Sequence, residues 1–273
     1  MRIWLDGALR DVDGATVSVL DHGLTVGDGV FETLKTERGR AFALTRHLER
    51  LTRSARGLGL PDPDLDEVRR ACAAVLEAQP VEHGRLRVTY TGGVAPLGSD
   101  RGDAAPTLIA AVAASPRRPD TTAVVTVPWV RNERSAVAGL KTTSYAENVV
   151  ALAAAHREGA SEALLANTVG RLCEGTGSNV FVVLDGELHT PPLESGCLAG
   201  ITRALVVEWA GAKETDLPFE VLEQAEEVFV TSSLRDAQAV VRLDGRELGT
   251  APGPVTAEVM RIFQVKAGDD LDP

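Results

Sequence analysis

The chain has 273 residues, with 28 Lys plus Arg against 39 Asp plus Glu for a formal net charge of −11, and it is 44% hydrophobic and 25% charged. That length can bury one large core or two medium ones, and the balance is that of a folded globular chain rather than a disordered one. The acidic surplus argues against nucleic acid or an anionic membrane as partner, no apolar run approaches the ~20 residues of a membrane span, and Met1–Asp6 is too short and too soon charged for a signal peptide, so a cytoplasmic protein is expected.

In chain order, Ile3–Leu5 reads as a strand entering the Asp6-Gly7 turn, and Val17–Leu20 as a second strand. Gly27-Asp28-Gly29 leads into an alternating strand through Lys35, where glycines suggest close backbone packing. After the Arg38-Gly39 turn comes a strand from Ala41 to Leu44. Thr45 is then the expected N-cap of a helix with Leu48, Leu51 and Ala55 on one side, running to Gly57 and bearing Arg46, His47 and Arg50. Asp64 heads a helix with Leu65, Val68, Cys72 and Val75 at core spacing. Leu86, Val88 and Tyr90 alternate with Arg87 and Thr89 before a glycine-rich loop, Gly92 to Gly102, that could cover a pocket. Leu108 to Ala114 is a buried strand, and Ser115–Asp120 is the best linker candidate. The expected organisation is a small N-terminal α/β domain over 1–116, a linker at 117–120, and a larger C-terminal cofactor-binding domain over 121–273.

The second part opens on a strand from Ala123 to Val127. Ser144-Tyr145-Ala146-Glu147 has capping-box spacing, so a helix should start near Ser144 and stop at Gly159. Strands are expected at Ala163–Leu165 and Val180–Val183, with a hairpin at Asp185-Gly186, and a helix from Gly200-Ile201-Thr202 to Gly211. Val228–Val230 runs into Thr231-Ser232-Ser233, another hairpin is expected at Asp244-Gly245, and Pro254 suits the first turn of a last helix. The tail from Gly268 to Pro273 is expected to fray. Cys72, Cys173 and Cys197 lack metal-ligand spacing and read as free thiols, and the five histidines are scattered, so no metal is expected.

Lys141 sits on the loop entering the helix that begins near Ser144, and a lysine used as a nucleophile needs a sheltered, fixed position. If it held pyridoxal phosphate as a Schiff base, a carboxylate would be needed beside the ring nitrogen, and Glu174 is a candidate. The helix start at Gly200-Ile201-Thr202 offers backbone donors for the phosphate, Ser232 and Ser233 offer hydroxyls, and Arg50 offers positive charge. Each has a plainer alternative: an exposed lysine, a solvated turn acid, an ordinary helix cap, loop serines, a solvated helix arginine.

The motifs Asp21-His22-Gly23 with Gly27–Glu32, His47–Leu51, Gly139–Thr142, Glu174–Phe181 and Gly200–Arg203 come in register over most of the chain. In this they resemble the class IV aminotransferases, the fold-type IV pyridoxal-phosphate enzymes that include branched-chain and D-amino-acid transaminases and 4-amino-4-deoxychorismate lyases. The resemblance implies an α/β fold of α+β type, in two domains with the cofactor pyridoxal 5'-phosphate in the cleft between them, a homodimer whose partner loop closes the pocket, and a small-molecule amine or amino-acid substrate. It implies that Lys141 carries the cofactor and shuttles the proton, that Glu174 pairs with the pyridine nitrogen, and that Arg50, Ile201, Thr202 and Ser233 hold the phosphate. Tyr145 resembles the tyrosine that branched-chain enzymes place near the ring hydroxyl, one residue sooner after the lysine. Asn179 matches a position read as structural.

Within the family the motifs divide. Leu97-Gly98-Ser99 stands where D-amino-acid transaminases have an Arg-x-His carboxylate trap, and Phe31-Glu32-Thr33-Leu34-Lys35 where branched-chain enzymes show Phe-Glu-Gly and then arginine, although Arg87 matches an arginine of their substrate strand. The compact length and Gly139–Thr142 with Glu147 and Val149 look most like the lyases, with Thr143-Ser144 replacing their usual Leu-Asn. The first expectation is therefore 4-amino-4-deoxychorismate lyase, giving 4-aminobenzoate and pyruvate, and the alternative is a transaminase. A binding or regulatory protein that keeps the fold without turnover is the other class, and the intact Lys141 and Glu174 argue against it.

Overall fold

A computed structural model describes residues 1–273, which fall into two units: Met1–Arg117 with Leu140–Tyr145 and Leu271–Pro273, and Arg118–Gly139 with Ala146–Asp270. The segment carrying Lys141 and the last three residues thus pack in the first unit although both follow the 117–120 stretch.

The first unit is built on a six-stranded sheet of order β2-β1-β6-β5-β3-β4, with β1 at Arg2–Leu5, β2 at Ala8–Asp11, β3 at Gly29–Glu37, β4 at Arg40–Ala41, β5 at His83–Thr91 and β6 at Thr107–Ala114. All its pairings are antiparallel. Alternation along β3 and β5 sends Val30, Leu34, Leu86 and Val88 to one face, where they meet Leu48, Leu51 and Ala55 of α2 (Leu44–Gly57) and Val68, Cys72 and Val75 of α3 (Leu65–Ala78). The short α1 spans His22–Thr25. Asp64 caps α3 as its position suggested, Oδ1 accepting from the amides of Asp66 at 2.9 Å and Glu67 at 3.1 Å.

The expectations for the start of α2 and for the tail are corrected together. The helix starts at Leu44 behind a left-handed Ala43 that offers no side-chain cap, and Thr45 lies inside it. The cap comes from 227 residues away: Asp272 Oδ1 accepts from Thr45 N at 2.7 Å and Oδ2 from Thr45 Oγ1 at 2.6 Å, while Leu271 O accepts from Ala43 N and Pro273 O from Arg46 Nε. Chain-distant capping leaves no local sequence signal. Asp272→Ala is expected to lower stability by about 1 kcal/mol, seen as an earlier midpoint in urea unfolding with an unchanged slope.

The expected strand at Val17–Leu20 does not form. Ser18 Oγ accepts from Leu20 N at 3.1 Å and bends the chain, and Val17, Val19 and Leu20 remain exposed.

The second unit holds a nine-stranded mixed sheet of order β12-β11-β10-β13-β14-β7-β8-β9, with β15 paired to β14. Its strands are β7 (Thr121–Arg131), β8 (Glu162–Asn167), β9 (Leu172–Gly175), β10 (Asn179–Leu184), β11 (Glu187–Thr190), β12 (Lys213–Glu214), β13 (Glu227–Ser232), β14 (Asp236–Leu243) and β15 (Arg246–Glu247). Helices α4 (Ala146–Arg157), α5 (Ile201–Ala210), α6 (Val221–Gln224) and α7 (Pro254–Asp269) complete it, and none is long and apolar enough to cross a membrane. Val180, Val182, Val228, Val230 and Val240 fill one face of the sheet, while Phe181 and Phe229 stack on the other at 4.7 Å. The hairpins at Asp185-Gly186 and Asp244-Gly245 have positive φ at both turn residues, as expected of that sequence pair. Helix α4 begins two residues after Ser144, whose hydroxyl is spent on Gly27 O at 3.0 Å rather than on a capping box.

Candidate active site

In the first unit the backbone of the lysine segment is fixed before its side chain is considered. Lys141–Thr143 runs beside the start of β3: Phe31 N donates to Lys141 O at 3.0 Å, Thr143 N to Gly29 O at 2.8 Å, and Val30 bridges Thr142. Lys141 N donates to Ser54 Oγ of α2 at 3.1 Å. Such close approach explains the glycines. A Cβ on Gly27, which has φ +70°, would lie 2.5 Å from Ser144 Oγ, and one on Gly29 would lie 3.1 Å from both Thr143 Oγ1 and Tyr90 O.

The lysine side chain reaches an aromatic pair. Its Nζ lies 4.4 Å from the Phe31 ring centroid and 5.9 Å from that of Tyr145, and the two rings meet edge to face at 5.3 Å. Arg87 of β5 also lies over Phe31, with its guanidinium carbon 3.7 Å from the centroid.

Arg50 is buried on α2 and grips Glu32 with two bonds, Nε to Oε1 at 2.8 Å and Nη2 to Oε2 at 2.7 Å. His47, one turn earlier, shares Oε2 at 2.6 Å. Glu32 stands between Val30 and Leu34 on the core-facing side of β3 and is fully buried. Burial alone would raise its pKa, but the charge and hydrogen bonds of Arg50, with His47 adding to them, hold it well below the ordinary carboxylate range. Burial lowers the pKa of His47, and the positive charges of Arg50 and Lys141 push the same way against the attraction of Glu32.

In the second unit Glu174 is the penultimate residue of β9. Its Oε2 accepts from Leu198 N at 2.9 Å, and its Oε1 lies 3.0 Å from Arg131 Nε, close enough for charge attraction though not aligned as a hydrogen bond. Arg131, at the end of β7, also donates through Nη1 to Asn148 Oδ1 at 3.1 Å. Three residues beyond Leu198, α5 begins at Ile201 with Gly200 as N-cap, no side-chain cap, and both Ile201 and Thr202 buried. Asn179 Nδ2 donates to Leu198 O at 2.9 Å and lies so close to Gly200 that a Cβ there would collide with its amide. Ser233 follows the last residue of β13.

Residues 29–243 match the family model for amino-transferase class IV. The chain belongs to the class IV aminotransferases.

It is 33% identical to the bifunctional aminodeoxychorismate lyase / D-amino acid transaminase of Mycobacterium tuberculosis, over 92% of this chain and 94% of that one. The branched-chain aminotransferase of Thermoproteus uzoniensis, solved with norvaline, superposes with a TM-score of 0.91 at 30% identity, covering 97% of this chain and 93% of that one. The PLP-bound form of a hypothetical aminotransferase from Mycobacterium tuberculosis gives 0.86 at 31% identity over 97% and 99%. The mixed α+β architecture with two sheets is that of fold-type IV, and the family depends on pyridoxal phosphate.

The donor set suits that cofactor. Glu174 is a largely buried carboxylate oriented by a backbone amide, as a pyridine nitrogen requires, and the uncapped start of α5 presents backbone N–H groups with a favourable dipole, as a phosphate requires. The first unit gathers Lys141 with Tyr145, and the second places Glu174 through Leu198 close in sequence to Ile201 and Thr202. Several residues escaped sequence reading. Glu32 carried the one available signal, an acid at a core-facing position of an alternating strand, whereas Arg131, Asn148 and Glu162 carried none, because their partners are distant in the chain.

Proposed function

We propose that the chain is a pyridoxal-phosphate-dependent aminotransferase acting on a small amino acid and a 2-oxo acid. The observation that supports it is the pairing on Phe31, where the Lys141 amine and the Arg87 guanidinium share one ring. An amine able to move a proton and a cation able to hold a carboxylate are what an α-amino acid needs at its two ends. When bound, pyridoxal phosphate supplies a sink for the electron pair left on the substrate carbon after that carbon loses its proton. Lys141 Nζ takes the proton and returns it. Glu174, held by Leu198 N–H, would accept from the ring nitrogen, and Tyr145 borders the lysine. In the second unit the amides of Ile201 and Thr202 and the hydroxyls of Thr202 and Ser233 would hold the phosphate, and in the first the fixed cation of Arg50 is of the charge that a phosphate calls for.

A second reading, 4-amino-4-deoxychorismate lyase, is supported by the 33% identity to the bifunctional mycobacterial enzyme. There Lys141 would remove a ring proton, and pyruvate would leave as the ring becomes aromatic. Purified protein is to be given a panel of L- and D-amino acids with 2-oxoglutarate and, separately, 4-amino-4-deoxychorismate. The first reading expects a new amino acid from at least one donor, and no transfer from any donor sinks it; pyruvate from the chorismate substrate establishes the second.

The same reading includes a homodimer. Val19, Leu24 and Leu97 are 76%, 69% and 79% exposed, Leu20, Val26 and Val94 are exposed too, and the Asp21–Val94 bridge and the Ala95 N to Leu20 O bond bring the two segments that carry them together. Burying that apolar surface against a second copy of the chain is favourable. Sedimentation velocity is expected to give twice the chain mass, and a monomer at micromolar concentration contradicts it.

A further inference from the structure

We infer that Glu162 is a positioning residue that fixes both the turn following Glu174 and the turn carrying Ser233; the inference rests on the cofactor roles proposed above for those two residues. Glu162 begins β8 and is 2% exposed. A carboxylate so placed must be satisfied on every side, and it is. Its Oε1 accepts from Thr176 N at 2.9 Å, from Thr176 Oγ1 and from Ala163 N at 3.2 Å, and its Oε2 accepts from Ser178 Oγ at 2.8 Å. Thr176 and Ser178 belong to the turn that follows Glu174. The turn is closed tightly over the carboxylate: Gly175 N donates to Ser178 O at 2.7 Å, and a Cβ on Gly175 would lie 2.4 Å from Ser178 Oγ and 3.1 Å from Glu162 Cγ.

The other side of the same carboxylate faces a charge. Arg235 Nη2 lies 3.7 Å from Glu162 Oε2, and this arginine's side chain is 8% exposed and tied down, donating through Nη2 to Ser161 O at 2.8 Å, through Nη1 to Ser161 Oγ at 3.1 Å, and to Gln238 Oε1. Arg235 is two residues after Ser233, in the tight link between β13 and β14 where Arg235 N donates to Ser232 O at 3.0 Å. One buried acid thus spans the turn after Glu174 and the turn after β13. A buried pair of this kind contributes little net stability but penalises every arrangement in which it is broken, so it suits a role in fixing geometry. Asn148 closes the network from the opposite side, its Nδ2 donating to Thr176 O while its Oδ1 accepts from Arg131, the cation beside Glu174.

The test compares Glu162→Gln, Ser178→Ala and the charge-free pair E162Q/R235M with Glu174→Gln as reference. Readouts are the pyridoxal-phosphate dissociation constant, the pH midpoint of the bound cofactor's visible band, and amide exchange over residues 174–178. Glu162→Gln and the double variant are expected to weaken cofactor binding about tenfold and to move the pH midpoint in the direction set by Glu174→Gln, with faster exchange in the turn; Ser178→Ala should move both by less. Should Glu162→Gln fail to fold, the double variant and Ser178→Ala carry the comparison. If Glu174→Gln shifts the midpoint while the Glu162 variants leave midpoint and affinity within twofold of wild type, Glu162 is merely structural and the inference is overturned. If Glu174→Gln itself moves neither quantity, the assignment of Glu174 is what has failed.

Discussion

Replacing Lys141 by alanine is expected to reduce turnover by at least ~10³-fold while leaving the fold intact, because proton transfer and covalent attachment both reside in the one amine. The contacts that hold the segment in place are main-chain: Lys141 N to Ser54 Oγ, Phe31 N to Lys141 O, and Thr143 N to Gly29 O. None of them is lost with the side chain, so the unfolding midpoint should move by no more than about 0.5 kcal/mol. Lys141→Arg is the sharper control, since it keeps a cation over Phe31 but cannot form an imine. Wild-type protein loaded with pyridoxal phosphate should show a visible absorbance band that borohydride removes, adding mass at residue 141. Neither variant should gain that mass, and a labelled peptide elsewhere in the chain would contradict the assignment.

Glu32→Gln is expected to lower stability by about 3–5 kcal/mol, the largest structural effect of any single substitution considered. It leaves the guanidinium of Arg50 buried with its bidentate partner gone, whereas E32Q/R50M removes the charges together and should recover much of the loss. Urea unfolding of the three proteins measures it, and a loss below ~1 kcal/mol for the single variant would show that the ion pair is relieved by solvent. The pH dependence follows from the same cluster. The folded-state pKa of His47 lies below its ordinary 6.5, so below that pH the unfolded chain binds a proton that the folded one resists, and stability falls as pH drops. Glu32, held below its ordinary 4.5, adds a second loss on further acidification, since the unfolded carboxylate protonates first. Stability should therefore be full above about pH 7, decline below 6.5 and decline more steeply below 4.5. His47→Gln should flatten the first step and spare the second.

The candidate residues could be named from the chain because the motifs that hold them are local. Lys141 and Glu174 stand in short motifs with their own turns, and Gly200–Thr202 announces a helix start by its glycine and by the apolar spacing that follows. The glycines at 27 and 29 carried a true message of close packing, and the structure supplies what approaches them, the backbone and hydroxyls of Thr143 and Ser144. Capping at α2 went the other way. Thr45 has the right chemistry in the right neighbourhood, yet Asp272 performs the task.

By itself, the sequence determined whatever depends on residues within a few positions of one another: hairpins at Asp-Gly pairs, the Asp64 cap, and the alternation of β3 and β5. Tertiary structure alone decided which buried charges face each other. Arg50 finds Glu32, Arg131 finds Glu174, and Glu162 finds Arg235 across gaps in sequence that no periodicity spans. The physical reason is that a hydrogen-bond ladder or an apolar stripe repeats along the chain, whereas a buried ion pair is selected only after strands and helices have been brought together and water has been excluded.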